Sequence, residues 1–457
     1  MLWCLPALAQ KADFSKDRVF SASACKADLV AFKTLLEKKH PNLYTYTAPA
    51  DFNRYCDSLL GSIQAPMTSL AFYNTITLLH SKIRDGHTHI FPNPAEAAYH
   101  QAHAGFIPFQ LQWLDNKLHV IKVFGFKSPI PEGAAITRIN GLSAPAIRQH
   151  LQQRQMRDGY NTSYPAWIVN NWFTEYYAFH FGHPETFSIA WETERGDTST
   201  AVLPALPKDS IAYYRQTRYH EAQSFAKTGI TLKVDTNMRS AVLTIRDFHN
   251  SVLRKKYKQR FKPVVTGYFK QLRALPIEHL ILDLRNNQGG DTGNGKILLS
   301  HLLNTSFQLV QGYAVVDKKN YRQPSARTKK ARGPSMGHFR PRKDAYPGQL
   351  YVLINGGSFS NSGIVCSGLR AQQRAVFIGE ETGGNPYLIC GGGKYGTLPN
   401  TNTQILIPTL QFEIRDKTKN IGRGLLPDHT VKPTVTDLLK HRDPVLSFAY
   451  RLVGAKE

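Results

Sequence analysis

Apolar residues recur at helical spacing near the N-terminus. Leu29, Phe32, Leu35 and Leu36 share a face, Lys38 and Lys39 sit near its end, and Pro41 stops it. A second helix is predicted through Tyr55, Leu59, Leu60 and Ile63. A third starts near Ser69, with Phe72, Ile76, Leu79 and Ile83 aligned, and the Asp85-Gly86 step breaks its period. Residues 11–95 are thus expected to be helical. From 104 to 205 the pattern turns to strict alternation, as in Phe109-Gln-Leu111-Gln-Trp113 and Leu118-His-Val120. An apolar strand ending in Asn140-Gly141, then a helix through Ile147 and Leu151, is half of a PDZ-like module, and an unrelated small β insertion fits equally. From 228 onward, continuous apolar runs at Leu280-Ile-Leu-Asp-Leu284, Tyr351-Val-Leu-Ile354 and Ala375-Val-Phe-Ile378 alternate with helical stretches. They predict a layered α/β domain on a buried parallel sheet over 228–457. Gln404–Pro408 and Leu410–Ile414 read as a late hairpin-like pair.

At 457 residues the chain can hold two or three cores. No run reaches the roughly 20 apolar residues of a spanning helix, so no transmembrane segment is expected. Residues 1–10 are apolar and end in Ala7-Leu8-Ala9, a signal-peptide remnant or else a buried strand. The first reading makes the protein exported, periplasmic or extracellular. Cys25, Cys56, Cys366 and Cys390 then stand in an oxidising compartment, as two bridges or as four buried thiols. No spacing suggests a metal site, and no cofactor is expected. The net charge of +24 is partly local, because residues 318–343 are basic and lack any apolar period. This stretch is expected to be a surface loop, either merely solvated or docking on an anionic surface or polymer. It lacks the interleaved aromatics of a single-strand reader, so no specific nucleic-acid partner is expected.

Two segments carry chemistry. In Leu282-Asp-Leu-Arg-Asn-Asn-Gln-Gly289-Gly290 an apolar strand enters a polar turn with paired glycines. Their backbone can approach a ligand closely and offer N–H groups to a developing negative charge. In Val352-Leu-Ile-Asn-Gly-Gly-Ser358-Phe-Ser360-Asn361-Ser362-Gly363 a second buried strand ends where a helix begins. A serine there is either a nucleophile at the positive helix end or a simple cap.

These segments, in this order, resemble the carboxyl-terminal-processing (tail-specific) serine peptidases and the related tricorn core. Residues 283–290 follow that family's Asp-Leu-Arg-Asn-Asn-x-Gly-Gly, and Ser358-Phe-Ser360-Asn-Ser-Gly363 stands in frame with its nucleophile turn. Arg374–Gly384 and Gly424-Leu-Leu-Pro427-Asp428 follow two later blocks, and Asp85-Gly86-His87-Thr88 adds an N-terminal match. The resemblance implies a crotonase-like α/β domain and peptide hydrolysis through an acyl-enzyme on Ser360. Oxyanion donors would be Asn361 and Gly289 or Gly290, and the substrate would be a polypeptide cut near its C-terminus. One branch uses a lysine base, where this chain has Asn385. Lys394 is poorly placed for the role. The tricorn-like branch uses a histidine at the place of His87, so Ser360 with His87 is the expected pair. That branch's orienting glutamate is missing from 417–422, which leaves Asn420 as the candidate there, and its serine before the histidine is Gly86. A relative that binds ligand without catalysis, and more remotely an acyl-CoA enzyme on the same domain type, are the rival readings.

Overall fold

The continuous apolar runs of the C-terminal half become the strands of one six-stranded sheet. In a computed structural model, which describes residues 18–125, 127–193, 195–220, 228–416 and 419–454, its order is Ile230–Asp235, Ser240–Ile245, His279–Asp283, Gln349–Ile354, Val376–Gly379 and His429–Thr430. Only the first pair is antiparallel. Helices Phe261–Arg273, Thr292–Leu302 and Asn361–Ala371 cover one face around Phe248, Phe269, Leu282, Val352 and Phe377. Pro444–Gly454 covers the other through Val445 and Ala449. Such two-sided burial is why these strands read as unbroken apolar runs. The segment 1–10 and residues 417 and 418 lie outside the described residues, and no described helix is long and apolar enough to cross a membrane.

The N-terminal region contains Ala22–Lys39, Pro49–Ser62 and Ser69–Ile76, with a core of Leu29, Phe32, Phe52 and Phe72. The middle region is an antiparallel sheet ordered Thr198–Pro204, Thr186–Glu192, Ala135–Ile139, Lys117–Val123 and Phe109–Leu114. It also carries two helices that alternation did not reveal, Ser163–Asn171 and Phe173–Phe181. Their aromatic residues meet the core on several sides, which erases a clean helical period.

Two expectations are corrected, and the open alternative for the cysteines is resolved. Gln404–Ile407 and Leu410–Glu413 are not partners. The first joins Lys394–Thr397 and His89–Phe91, and the second joins Gly312–Val316 and Leu388–Gly391. Pro408, with no N–H to donate, separates them. The basic stretch is not a plain loop, because Thr328–Ala331 and His338–Phe339 are strands. Within it Arg327 is buried and donates to the Leu36 and His40 carbonyls at 3.1 and 2.7 Å, tying the first helix to the C-terminal half. Arg327→Ala should therefore leave helix-end carbonyls unpaired and cost about 2–3 kcal/mol, read as a lower urea midpoint. All four described cysteines are free and buried, so neither bridge forms.

Candidate active site

Ser360 stands where strand Gln349–Ile354 gives way, through a tight turn, to helix Asn361–Ala371. Its backbone is strained, with φ 53° and ψ −120°, a region that costs a non-glycine residue on the order of 1–3 kcal/mol. It occupies the helix cap position yet makes no side-chain cap bond, which removes the capping alternative. Its neighbours are spent elsewhere. Ser358 Oγ donates to the Leu284 carbonyl at 2.9 Å, and Ser362 Oγ donates to the Asn287 carbonyl at 2.7 Å. Ser360 Oγ alone of the three meets an imidazole, with His87 Nε2 at 3.0 Å.

His87 arrives from 273 residues away because strand His89–Phe91 adds to the edge of Gln404–Ile407, pairing His89 with Leu406. Arg84, left-handed at φ 51°, ends helix His80–Ile83 and aims the following turn at the site. A Cβ on Gly86 would lie 2.7 Å from the Phe359 ring and 2.9 Å from Asp158 Oδ1, so glycine is required where the related branch has serine. Phe359 stacks on His87 at 4.6 Å and on Tyr164 at 4.2 Å, and so carries the middle region's core into the nucleophile turn. Gly356 and Gly357 admit Ser163 and Trp167 of that region, which a Cβ on either glycine would strike. Desolvation lowers the His87 pKa below the usual histidine value, chiefly against the opposing pull of Asp85. The ring is therefore neutral, a proton acceptor, at neutral pH. The acid limb of any His87-dependent activity should accordingly lie below pH 6.5, which a pH–rate profile checks.

The glycine turn lies against Ser360. Gly289 has φ +95°, and a Cβ there would stand 2.7 Å from both Asn361 N and Ser360 Cβ. Gly289 N–H donates to Asn287 Oδ1 at 2.9 Å and is thereby engaged. The N–H groups of Asn361 and Gly290 meet no acceptor among the described residues, so the two together are the available donors. The rest of the motif shapes the turn. Arg285 clamps Asp283 and Asp443, and Asn286 bonds Asn355 and Trp167.

Asn420 does not hold His87. Its Oδ1 accepts from Asn385 Nδ2 and Gly422 N–H, and its Nδ2 donates to the Tyr46 hydroxyl. Asn385, at the lysine position, is fully buried in this same network, and Lys394 lies exposed on Lys394–Thr397. His87 Nδ1 is buried with no partner among the described residues. Beneath it lie residues that sequence reasoning missed. A ring nitrogen of His87 and a carboxylate oxygen each from Asp85 and Asp158 fall within 4.8 Å of one another, as do donor atoms of His40, Asp85 and Cys390. Both carboxylates accept backbone N–H groups, Asp158 from Gly86 and Asp85 from His87. Asp158 stood in no motif, and only its place next to the Gly159 turn hinted at a special role.

Residues 239–431 match the sequence profile of peptidase family S41. The fold is similar to that of mature CPAF (TM-score 0.67, 14% identity, 94% of this chain and 96% of that one) and to mature CPAF complexed with lactacystin (0.67, 14%, 94% and 98%). It is also similar to a protein from Parabacteroides merdae (0.50, 14%, 96% and 98%). No curated protein matches the chain in sequence.

Proposed function

We propose that this chain hydrolyses peptide bonds through an acyl-enzyme on Ser360, near the C-termini of exported proteins, a reading supported by the match of residues 239–431 to peptidase family S41. The 3.0 Å approach of His87 Nε2 to Ser360 Oγ carries this reading. Neutral His87 takes the hydroxyl proton as Oγ attacks the scissile carbonyl carbon, and the oxyanion accepts from Asn361 and Gly290 N–H. The imidazolium then protonates the leaving amine, releasing the C-terminal fragment. Water, deprotonated by the same ring, attacks the ester and regenerates the hydroxyl.

The polypeptide would enter extended and add to a sheet edge, the PDZ-like middle region offering one. Lys329, Lys330, Arg332 and Arg340 are exposed on the 318–343 excursion, which supports docking on an anionic surface or polymer. A fluorophosphonate probe tests the central claim, with labelling of the wild type and none of Ser360→Ala expected. A peptide series with free or amidated C-termini tests the terminal preference, which fails if amidation changes nothing. A second reading, binding without turnover, is favoured by the partnerless His87 Nδ1 and by Asn385 in place of a base. Peptide binding without any labelling would establish it. Export is tested by N-terminal sequencing of the protein recovered outside the cytoplasm.

A further inference from the structure

Among the described residues, three buried atoms of one small cluster stand without a hydrogen-bond partner: His87 Nδ1, Asp85 Oδ2 and His40 Nε2. Asp85 is anchored from its other oxygen, which accepts from His87 N–H at 2.9 Å and from Thr88 Oγ1 at 3.0 Å. Asp158 comes from a different part of the chain. Its Oδ1 accepts from Gly86 N–H at 2.8 Å and its Oδ2 from Asn385 N–H at 3.3 Å. Both carboxyls thus grip the backbone on either side of His87, and their oxygens and a ring nitrogen of His87 lie within 4.8 Å of one another.

We propose that Asp85 and Asp158 act together as the acid member of this site, Asp85 as the carboxylate that orients His87 through Nδ1 and Asp158 as the positioning carboxyl that holds Asp85 and the Gly86 turn in place. The proposal rests on the Ser360–His87 reading above. It fills the place left by the missing glutamate and by Asn420. Like charges this close and this deeply buried do not both ionise. Burial, with Asp85 adding to it, pushes Asp158 up to about 8; burial raises Asp85 too, but the neighbouring His40, with His87 and Cys390 helping, outweighs it and holds Asp85 well below the usual carboxylate range. The pair thus presents one negative charge to an imidazolium forming at His87. The titratable groups facing it are His40, Tyr46, His80, His87, His89, Tyr164 and Cys390. His40 Nδ1 accepts from Asn42 N–H, so its proton is on Nε2, 3.6 Å from Asp85 Oδ1. Burial raises the Cys390 thiol and the Tyr46 and Tyr164 hydroxyls, which stay neutral.

The test uses the full chain, measuring the fluorophosphonate labelling rate from pH 5 to 9.5 and the His87 imidazole titration by NMR. Asp85→Asn should slow labelling by about a hundredfold or more at pH 7 and move the His87 titration to lower pH, since the charge favouring imidazolium is gone. Asp158→Asn sets an amide N–H against one of the two backbone donors, Gly86 or Asn385, that the carboxyl now accepts from, and should slow labelling by about tenfold at pH 7, less than Asp85→Asn. Wild-type labelling should slow above about pH 8, where Asp158 ionises and the carboxylates repel. Asp158→Asn should lack that step. A folded-state value raised above the unfolded one contributes stability at low pH that is lost as pH rises toward 8, so Asp158→Asn should also flatten the decline in Tm over that range. The proposal is overturned if Asp85→Asn leaves both labelling and the His87 titration unchanged, if Asp158→Asn keeps the step near pH 8, or if chelation abolishes labelling and makes the cluster a metal site. Should Asp85→Asn fail to fold, the Asp158→Asn profile decides. Should the wild type not label at all, the hydrolase reading fails while the His87 titration still judges the pair.

Discussion

Replacing His87 with alanine is expected to lower kcat/KM for peptide hydrolysis by about 10⁵-fold, because no other base among the described residues is bonded to Ser360 Oγ. The hydroxyl of Ser360 makes its one side-chain hydrogen bond to His87 Nε2 at 3.0 Å. Asn385 is buried in amide and hydroxyl bonds and has no lone pair of useful basicity, while Lys394 is exposed on a different strand. The ring also stacks on Phe359, so the substitution opens space in the turn. Thermal melting must therefore accompany the kinetics to separate loss of base from loss of fold. A residual rate within tenfold of wild type, in a protein that melts normally, would remove His87 from the mechanism.

Gly289→Ala is the second large effect. A methyl there would stand 2.7 Å from Asn361 N and Ser360 Cβ and 2.8 Å from the Phe359 carbonyl, none of which is the end of a flexible side chain. The φ of +95° adds strain for any residue with a Cβ. The clash falls on the segment that carries Ser360 and the Asn361 N–H, the proposed nucleophile and oxyanion donor. The expected loss is about 10²–10³ in kcat, the size seen when one oxyanion donor is removed, with little change in KM. Gly293→Ala is the control. It lies four residues on, in helix Thr292–Leu302, with nothing within 4 Å of a new Cβ. Activity should be retained there and stability unchanged or raised by up to about 1 kcal/mol. Equal damage at both positions would show that the turn, rather than the contact with Ser360, is fragile.

The strands of the C-terminal sheet were legible because burial on both faces writes itself as apolar runs, and the amphipathic N-terminal helices because one face does. The late strands were misread as partners because alternation reports which face is buried and not which neighbour supplies the hydrogen bonds. Helices Ser163–Asn171 and Phe173–Phe181 escaped because aromatics buried on several sides leave no 3.6-residue stripe. An even count of cysteines could not tell two bridges from four thiols, because pairing depends on Cβ geometry that spacing does not encode.

The sequence by itself determined the strand-to-helix turn at Ser360 and the glycine turn at Gly289, since a strand end, a helix start and residues without side chains are local properties of contiguous letters. Only the tertiary structure decided what surrounds them. A short edge strand brings His87 across 273 positions to Ser360, Gly289 N–H is already engaged while Gly290 N–H meets no acceptor among the described residues, and Asn420 serves Tyr46 and Asn385 instead of the imidazole. Asp158 approaches from the middle region with no motif to mark it. Hydrogen-bond partnership is settled at separations of about 3 Å between segments far apart in the chain, and those separations exist only once three cores have packed against one another.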